Sequence, residues 1–125
     1  MRISVVIPVH REEGIASLLD DLLRRGDTGH RGQKDGVEII VVDGAPEGDT
    51  LCRALAYPVL GLASPPGRGV QQNVGATAAS GDILLFLHAD TILPENAFTL
   101  IRQTMHDPAV SGGAFSLACE PRTPG

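Results

Sequence analysis

Two acids sit just beyond apolar runs. Asp43 follows Val37 to Val42, and Asp90 follows Ile83 to Leu87 across His88 and Ala89. A polar residue in that position lies at the edge of a buried sheet, where a bound molecule would meet it. Taken singly, either aspartate also reads as a turn former whose side chain bonds local backbone amides. Between them lies PPGRGVQQNVGATAASGD, in which Arg68 stands between two glycines at the entrance to a small-residue helix. Glycine admits close backbone approach, and a helix N-terminus beside a guanidinium suits a diphosphate. The plain alternative for Arg68 is a solvated loop arginine. The first strand is not followed by G-x-G-x-x-G, and there is no phosphate P-loop, so the ordinary NAD and ATPase readings lose support.

The elements that must position these residues follow from periodicity. Ile3 to Pro8 is a short β-branched run ended by proline, suited to a strand buried on both faces. From Glu12 the pattern turns helical, with Ile15, Leu18, Leu19, Leu22 and Leu23 on one stripe and Gly26 beyond the end. Val37 to Val42 is a second buried strand, Thr50 to Leu55 a short helix and Tyr57 to Leu62 a weaker third strand. Val70 to Ala79 reads as a helix, Ile83 to Leu87 as the most apolar strand and Pro94 to Met105 as a helix with proline near its first position. Gly112 to Leu117 is expected to be a last strand. This βαβ alternation implies an α/β fold, a mostly parallel sheet with helices on both faces. Ligands of such sheets bind beyond the carboxyl ends of the strands, near a topological switch point.

Composition narrows the function. The 125 residues fit one domain, 1–125, and a net charge of −5 cannot neutralise a run of phosphates, which argues against nucleic acid. Aromatics are 3% with no Trp, so an aromatic base or sugar platform is not expected. Cys52 and Cys119 are too few and too far apart for a disulfide scaffold and read as free, partly buried thiols of a reducing compartment. No Cys/His cluster has zinc spacing, and no apolar run suits a signal peptide or a membrane span. The expected location is the cytoplasm.

Three blocks in order, VVIPVHREE, VEIIVVDGAPEGDT and PGRGVQQNVGATAASGDILLFLHADT, resemble the family 2 glycosyltransferases, which have the GT-A nucleotide-sugar-binding fold. The likeness runs from Ile3 to about Phe115 and is nearest a bacterial subgroup with L-H-A-D-T in place of a full D-x-D. It implies a metal-dependent, inverting transfer of sugar from a nucleoside-diphosphate donor, a UDP-sugar being favoured, to an unknown acceptor. Pro8, Val9 and Glu12 match the segment that frames base and ribose, and Asp43 the acid that accepts the imide N–H of the base. Arg68 matches a loop residue near the diphosphate, with Asn73 a helical turn inside that segment. His88 and Ala89 stand with the donor-binding residues, and Asp90 matches the second acid of D-x-D, a hard oxygen ligand for Mg²⁺ or Mn²⁺.

Two departures mark this chain within the family. His88 replaces the first acid of D-x-D; its readings are a metal ligand, a ribose or diphosphate contact, or a strand cap. DGAPEGDT replaces a Ser-rich loop, with Glu47 and Asp49 read as solvated acids or a helix N-cap. An inverting transfer needs a carboxylate general base. Glu95, Asp107 and Glu120 fit capping or solvation better. The chain is therefore expected to be the donor-binding, C-terminally truncated part of such an enzyme, with the acceptor part lacking. An uncovered apolar face or edge should follow, and with it self-association into a homo-oligomer or instability. The alternatives are a non-catalytic nucleotide-sugar-binding module and, disfavoured by P-V-H-R-E-E after the first strand, a nucleotidyltransferase.

Overall fold

A computed structural model describes residues 2–25, 36–91 and 93–107 of the chain. They fall in two units, residues 1–90 and 91–125. The first unit carries β1 (Ile3–Val9), α1 (Ile15–Arg25), β2 (Val37–Asp43), α2 (Asp49–Ala54), β3 (Leu60–Ala63), α3 (Arg68–Ala78) and β4 (Ile83–Phe86). In the second, α4 (Ala97–Met105) buries Ala97 and Phe98. The strand expected at Gly112 to Leu117, and Cys119, lie outside the described residues.

All pairings are parallel, in the order β3-β2-β1-β4. β1 and β2 run in register from Ile3 opposite Val37 to Val9 opposite Asp43. This register sorts the side chains of β1 and β2 onto two faces. On one face Val6, Ile40 and Val42 form a core with Leu62 of β3 and Val74 and Ala79 from the α3 segment. α3 lies close enough that a Cβ on Gly75 would stand 2.3 Å from a Val6 methyl, so only glycine fits there. The opposite face holds Ile3, Val5, Ile7, Val37, Ile39 and Val41, all buried, and α2 covers it at Gly61 through Leu51 and Leu55. α1 lies beside α2 and buries Ile15, Leu18, Leu19 and Leu22 of its stripe, with Leu23 half-buried. Each fully buried aliphatic side chain contributes roughly 1.5–3 kcal/mol. Helices thus lie on both faces of a parallel sheet, as the alternation of elements implies.

Element ends differ from the periodicity for identifiable reasons. β3 begins at Leu60 rather than Tyr57 because the Tyr57 amide closes the turn after α2 on the Ala54 carbonyl, and Pro58 has no amide to donate. β4 ends at Phe86 rather than Leu87. The Leu87 amide bonds the Val6 carbonyl, so the even residues of β1 turn their backbone polar groups toward β4. The next such residue is Pro8, which cannot donate, and the ladder stops there. α1 starts at Ile15 rather than Glu12, after Arg11 in the left-handed region at φ 53°. α3 starts at Arg68, earlier than Val70, because Gly67 at φ 131° turns the chain into the helix. α4 begins at Ala97 after a turn in which the Ala97 amide bonds the Pro94 carbonyl. Among the described residues β4 is an edge of the sheet, and its Leu84 and Phe86 are 43% and 45% exposed. No helix among the described residues is long and apolar enough to cross a membrane.

The amino-terminal rim is tied by Glu38. Its Oε1 accepts from Ser4 Oγ at 2.6 Å, Ser80 N at 2.7 Å and Ser80 Oγ at 3.0 Å. Ser4 Oγ in turn accepts from Gly81 N at 2.8 Å, so the S-G-D turn between α3 and β4 is stitched to β1 and β2. Burial works against the charged carboxylate, but the bonds from Ser4 and Ser80 and the nearby Arg2 outweigh it and hold Glu38 below the ordinary glutamate pKa of 4.5. A lowered folded-state pKa means stability present at neutral pH and lost as pH falls below about 4.5 through the folded value. Glu38→Gln is expected to lower stability near neutral pH by about 1–2 kcal/mol. It should also flatten the acid limb, read from urea midpoints of both proteins between neutral pH and about pH 3. Parallel acid limbs would show that Glu38 does not carry this linkage.

Candidate functional site at the carboxyl ends of the strands

The chain order β1, β2, β3 runs outward on one side of β1, and β4 then joins on the other. That reversal is a topological switch point beside β1. Asp43, at the end of β2, and Asp90, beyond the end of β4, therefore stand on the same rim with β1 between them. Two strand spacings separate those strands, about 10 Å.

Asp43 is 1% exposed, and both its oxygens are engaged. Oδ1 accepts from Ala45 N at 2.8 Å and Oδ2 from Leu51 N at 3.0 Å. Leu51 is in the first turn of α2, whose N-cap, Gly48, supplies no side-chain bond. Asp43 thus caps α2 from the neighbouring strand and puts a negative charge at the positive end of the helix. Each oxygen keeps a lone pair for a further donor. Beside it, the Glu12 amide donates to the buried Thr50 hydroxyl at 2.9 Å, tying the loop after β1 to α2. Arg11 forms a forked ion pair with Glu47, its Nη2 donating to Oε1 at 3.2 Å. The bond from Arg11 holds the Glu47 carboxyl below the glutamate range, and the same bond raises the Arg11 guanidinium. Both groups are solvated, so the pair orders two loops without contributing much stability. Of the loop acids, Glu47 pairs across the rim and Asp49 opens α2.

The loop before α3 is fixed by Gln71. This side chain is 4% exposed; its Nε2 donates to the carbonyls of Val9 and Val42, each at 2.8 Å, and its Oε1 accepts from Gly67 N at 3.2 Å. Arg68 follows Gly67 and is exposed, and α3 has no side-chain N-cap bond, so its first-turn amides open toward the rim. Asn73 lies two residues from Gln71, about 200° around the helix, on the exposed side away from the sheet. The structure does not bring it to the strand ends.

Pro8 is half-buried and Val9 buried, and Glu12 is half-buried. The Val9 carbonyl accepts from both Gln71 Nε2 and Gly44 N, so Val9 supports the rim rather than opening onto it. Beyond β4, Ala89 is buried, while the His88 and Asp90 side chains are 44% and 61% exposed and meet through Nδ1 and Oδ1 at 2.5 Å. Among the described residues no group of three His, Cys, Asp or Glu side chains could hold a metal. The Asp90 carboxylate, bonded to the His88 imidazole, is nonetheless a hard oxygen donor on this rim. It suits a cation such as Mn²⁺ that takes remaining oxygens from its ligand. Cys52 is a free cysteine exposed on α2, not the partly buried thiol expected.

Sequence reasoning missed Gln71 and Thr50. The available signal for Gln71 was its spacing from Gly75, one turn on, which marks the face of α3 that meets the sheet.

Among solved structures, the chain is similar to glucosyl-3-phosphoglycerate synthase from Mycobacterium tuberculosis in complex with phosphoglyceric acid. The two are 31% identical with a TM-score of 0.59, over 74% of this chain and 35% of that one. The same enzyme with Mn²⁺, uridine diphosphate and glucosyl-3-phosphoglycerate gives 29% identity and a TM-score of 0.60, over 89% and 40% of the chains. A mannosyltransferase from Pyrobaculum calidifontis, in complex with GDP-Man and Mn²⁺, shares the fold at 23% identity and a TM-score of 0.68, over 87% and 33%. The chain thus spans about a third of the length of the solved structures it matches, from 33% to 40% in these three. No curated protein matches it significantly. The model of glycosyl transferase family 2 matches residues 4–120, nearly the whole sequence, and the chain belongs to that family.

Proposed function

We propose that this chain is the donor-binding part of a metal-dependent glycosyltransferase that moves sugar, with inversion, from a nucleoside-diphosphate donor to an acceptor, a UDP-sugar being the favoured donor. The observation that carries the reading is the single rim that holds a buried acid, an uncapped helix N-terminus with Arg68, and an exposed Asp90 beside His88. Asp43 offers its remaining lone pairs to the imide N–H of the base, with Pro8 and Glu12 beside it. The first-turn amides of α3 and the Arg68 guanidinium take the diphosphate. Asp90, with His88 against it, holds the cation. A divalent cation held by Asp90 would supply positive charge for the leaving diphosphate. Glu95 and Asp107 flank α4, and the role of general base is assigned to neither. Mn²⁺ and uridine diphosphate in the structure that is 29% identical support this assignment of ligands. The scarcity of cysteine supports a reducing, cytoplasmic setting.

Titration calorimetry of the protein with UDP, in Mn²⁺ and again in EDTA, tests the reading, with GDP as competitor. Metal-dependent binding of UDP, tighter than GDP, is expected, followed by release of sugar in a donor-hydrolysis assay. Binding without hydrolysis would favour a non-catalytic module. Absence of nucleotide binding under both conditions would overturn the proposal.

A further inference from the structure

Gln71 spends both amide hydrogens and one acceptor site on three backbone groups from three elements: the ends of β1 and β2 and the N-cap of α3. A primary amide has four such capacities, so a buried one with three filled is close to fully satisfied. Its two acceptors flank the strand ends that carry Asp43, and its donor partner, Gly67, precedes Arg68. The Gly44 backbone closes on this side chain: a Cβ there would stand 2.8 Å from both Cδ and Oε1 of Gln71. We infer that Gln71 is a positioning residue for the diphosphate: it sets the α3 N-terminus and Arg68 at a fixed distance from the strand ends.

This rests on the nucleotide-sugar reading and extends it to a residue that meets no ligand. α3 packs along the sheet through Val74 and Gly75, but the loop from Ser64 to Gly67 enters it from β3, so the chain itself does not tie its first turn to the ends of β1 and β2. Gln71 supplies that tie with two bonds of 2.8 Å to the Val9 and Val42 carbonyls and holds the N-cap amide of its own helix with a third, at 3.2 Å. The base end of the site keeps anchors of its own, because the Asp43 carboxylate also accepts from Ala45 N and Leu51 N. Two substitutions perturb the one contact from opposite sides. Gln71→Met keeps length and apolar volume but removes all three bonds. Gly44→Ala leaves the amide in place and crowds it, with no left-handed φ at Gly44 to add strain.

The test compares wild type, Gln71→Met and Gly44→Ala by titration with UDP and Mn²⁺ and, separately, with uridine, alongside hydrogen exchange of the segment around Gly67. UDP affinity is expected to fall about 10- to 100-fold in Gln71→Met, the size of effect seen when a supporting partner is lost. A smaller fall is expected in Gly44→Ala. Uridine affinity should be unchanged in both, and exchange at Gly67 faster. Equal weakening of UDP and uridine would mean a merely structural role, and unchanged UDP affinity would overturn the inference outright. If Gln71→Met does not fold, Gly44→Ala carries the same comparison. If wild type binds no UDP, the nucleotide-sugar reading fails and the positioning role with it. Hydrogen exchange still reports whether Gln71 holds the loop.

Discussion

Asp90→Ala is expected to reduce the affinity for UDP in Mn²⁺ by about 100-fold or more, to the level wild type shows in EDTA, since a metal-bridged diphosphate loses both a hard oxygen ligand and the charge that anchors the cation. Asp90 side-chain exposure of 61% makes this a change at the surface, so the thermal midpoint of the unliganded protein should hardly move. That separation matters, because a loss of binding accompanied by a loss of fold would say nothing about the metal. Titration in EDTA supplies the second control: there wild type and variant should coincide. His88→Ala should give a smaller loss of the same sign, because its Nδ1 lies 2.5 Å from Asp90 Oδ1 and orients that carboxylate whether or not it also ligates. If Asp90→Ala still binds UDP more tightly in Mn²⁺ than in EDTA, the cation is held elsewhere and the assignment of Asp90 is wrong.

What could be read in advance depended on whether the deciding interaction is local in sequence. The α1 stripe of Ile15, Leu18, Leu19, Leu22 and Leu23 was legible because helical spacing alone puts those residues on one face, and the first four are buried with Leu23 half-buried at its edge. The common rim of Asp43 and Asp90 was legible because a parallel βαβ sheet sends every strand end to the same side. The stop of β4 was not legible. It depends on Pro8, a residue of the neighbouring strand, facing β4 with no amide to give, and only the register reveals this. Gln71 was hidden for a similar reason: its partners, Val9 and Val42, lie 62 and 29 residues away. Asn73 illustrates the converse. Its place in a recognisable segment suggested a ligand contact, while the phase of α3, fixed by Gln71 and Gly75 against the sheet, turns it outward. Cys52 lies between Leu51 and Arg53 on the exposed side of a six-residue helix, too short for spacing alone to fix its buried face.

Asp43→Ala is expected to be the most destabilising single truncation in the site, by about 2–5 kcal/mol. It strands the amides of Ala45 and Leu51, each worth about 1–3 kcal/mol when left buried without an acceptor, and removes a charge from the N-terminus of α2. Urea denaturation without nucleotide reads this directly. Asp43→Asn keeps the shape and one oxygen but turns an NH₂ toward a backbone N–H, so an intermediate loss is expected. The pair separates two duties of one carboxylate. As a cap it needs a bonding oxygen toward Leu51; as the reader of a base it needs a lone pair left over after both amides are satisfied. Asp43→Asn, folded but with one acceptor oxygen instead of two, should therefore bind UDP at least about tenfold more weakly, one hydrogen bond to a charged acceptor being worth roughly 1.5–3 kcal/mol. Full stability in Asp43→Ala would mean that water reaches both amides and that the loop after β2 does not depend on its acid. The site would then have to be held from Gln71 and Thr50 alone.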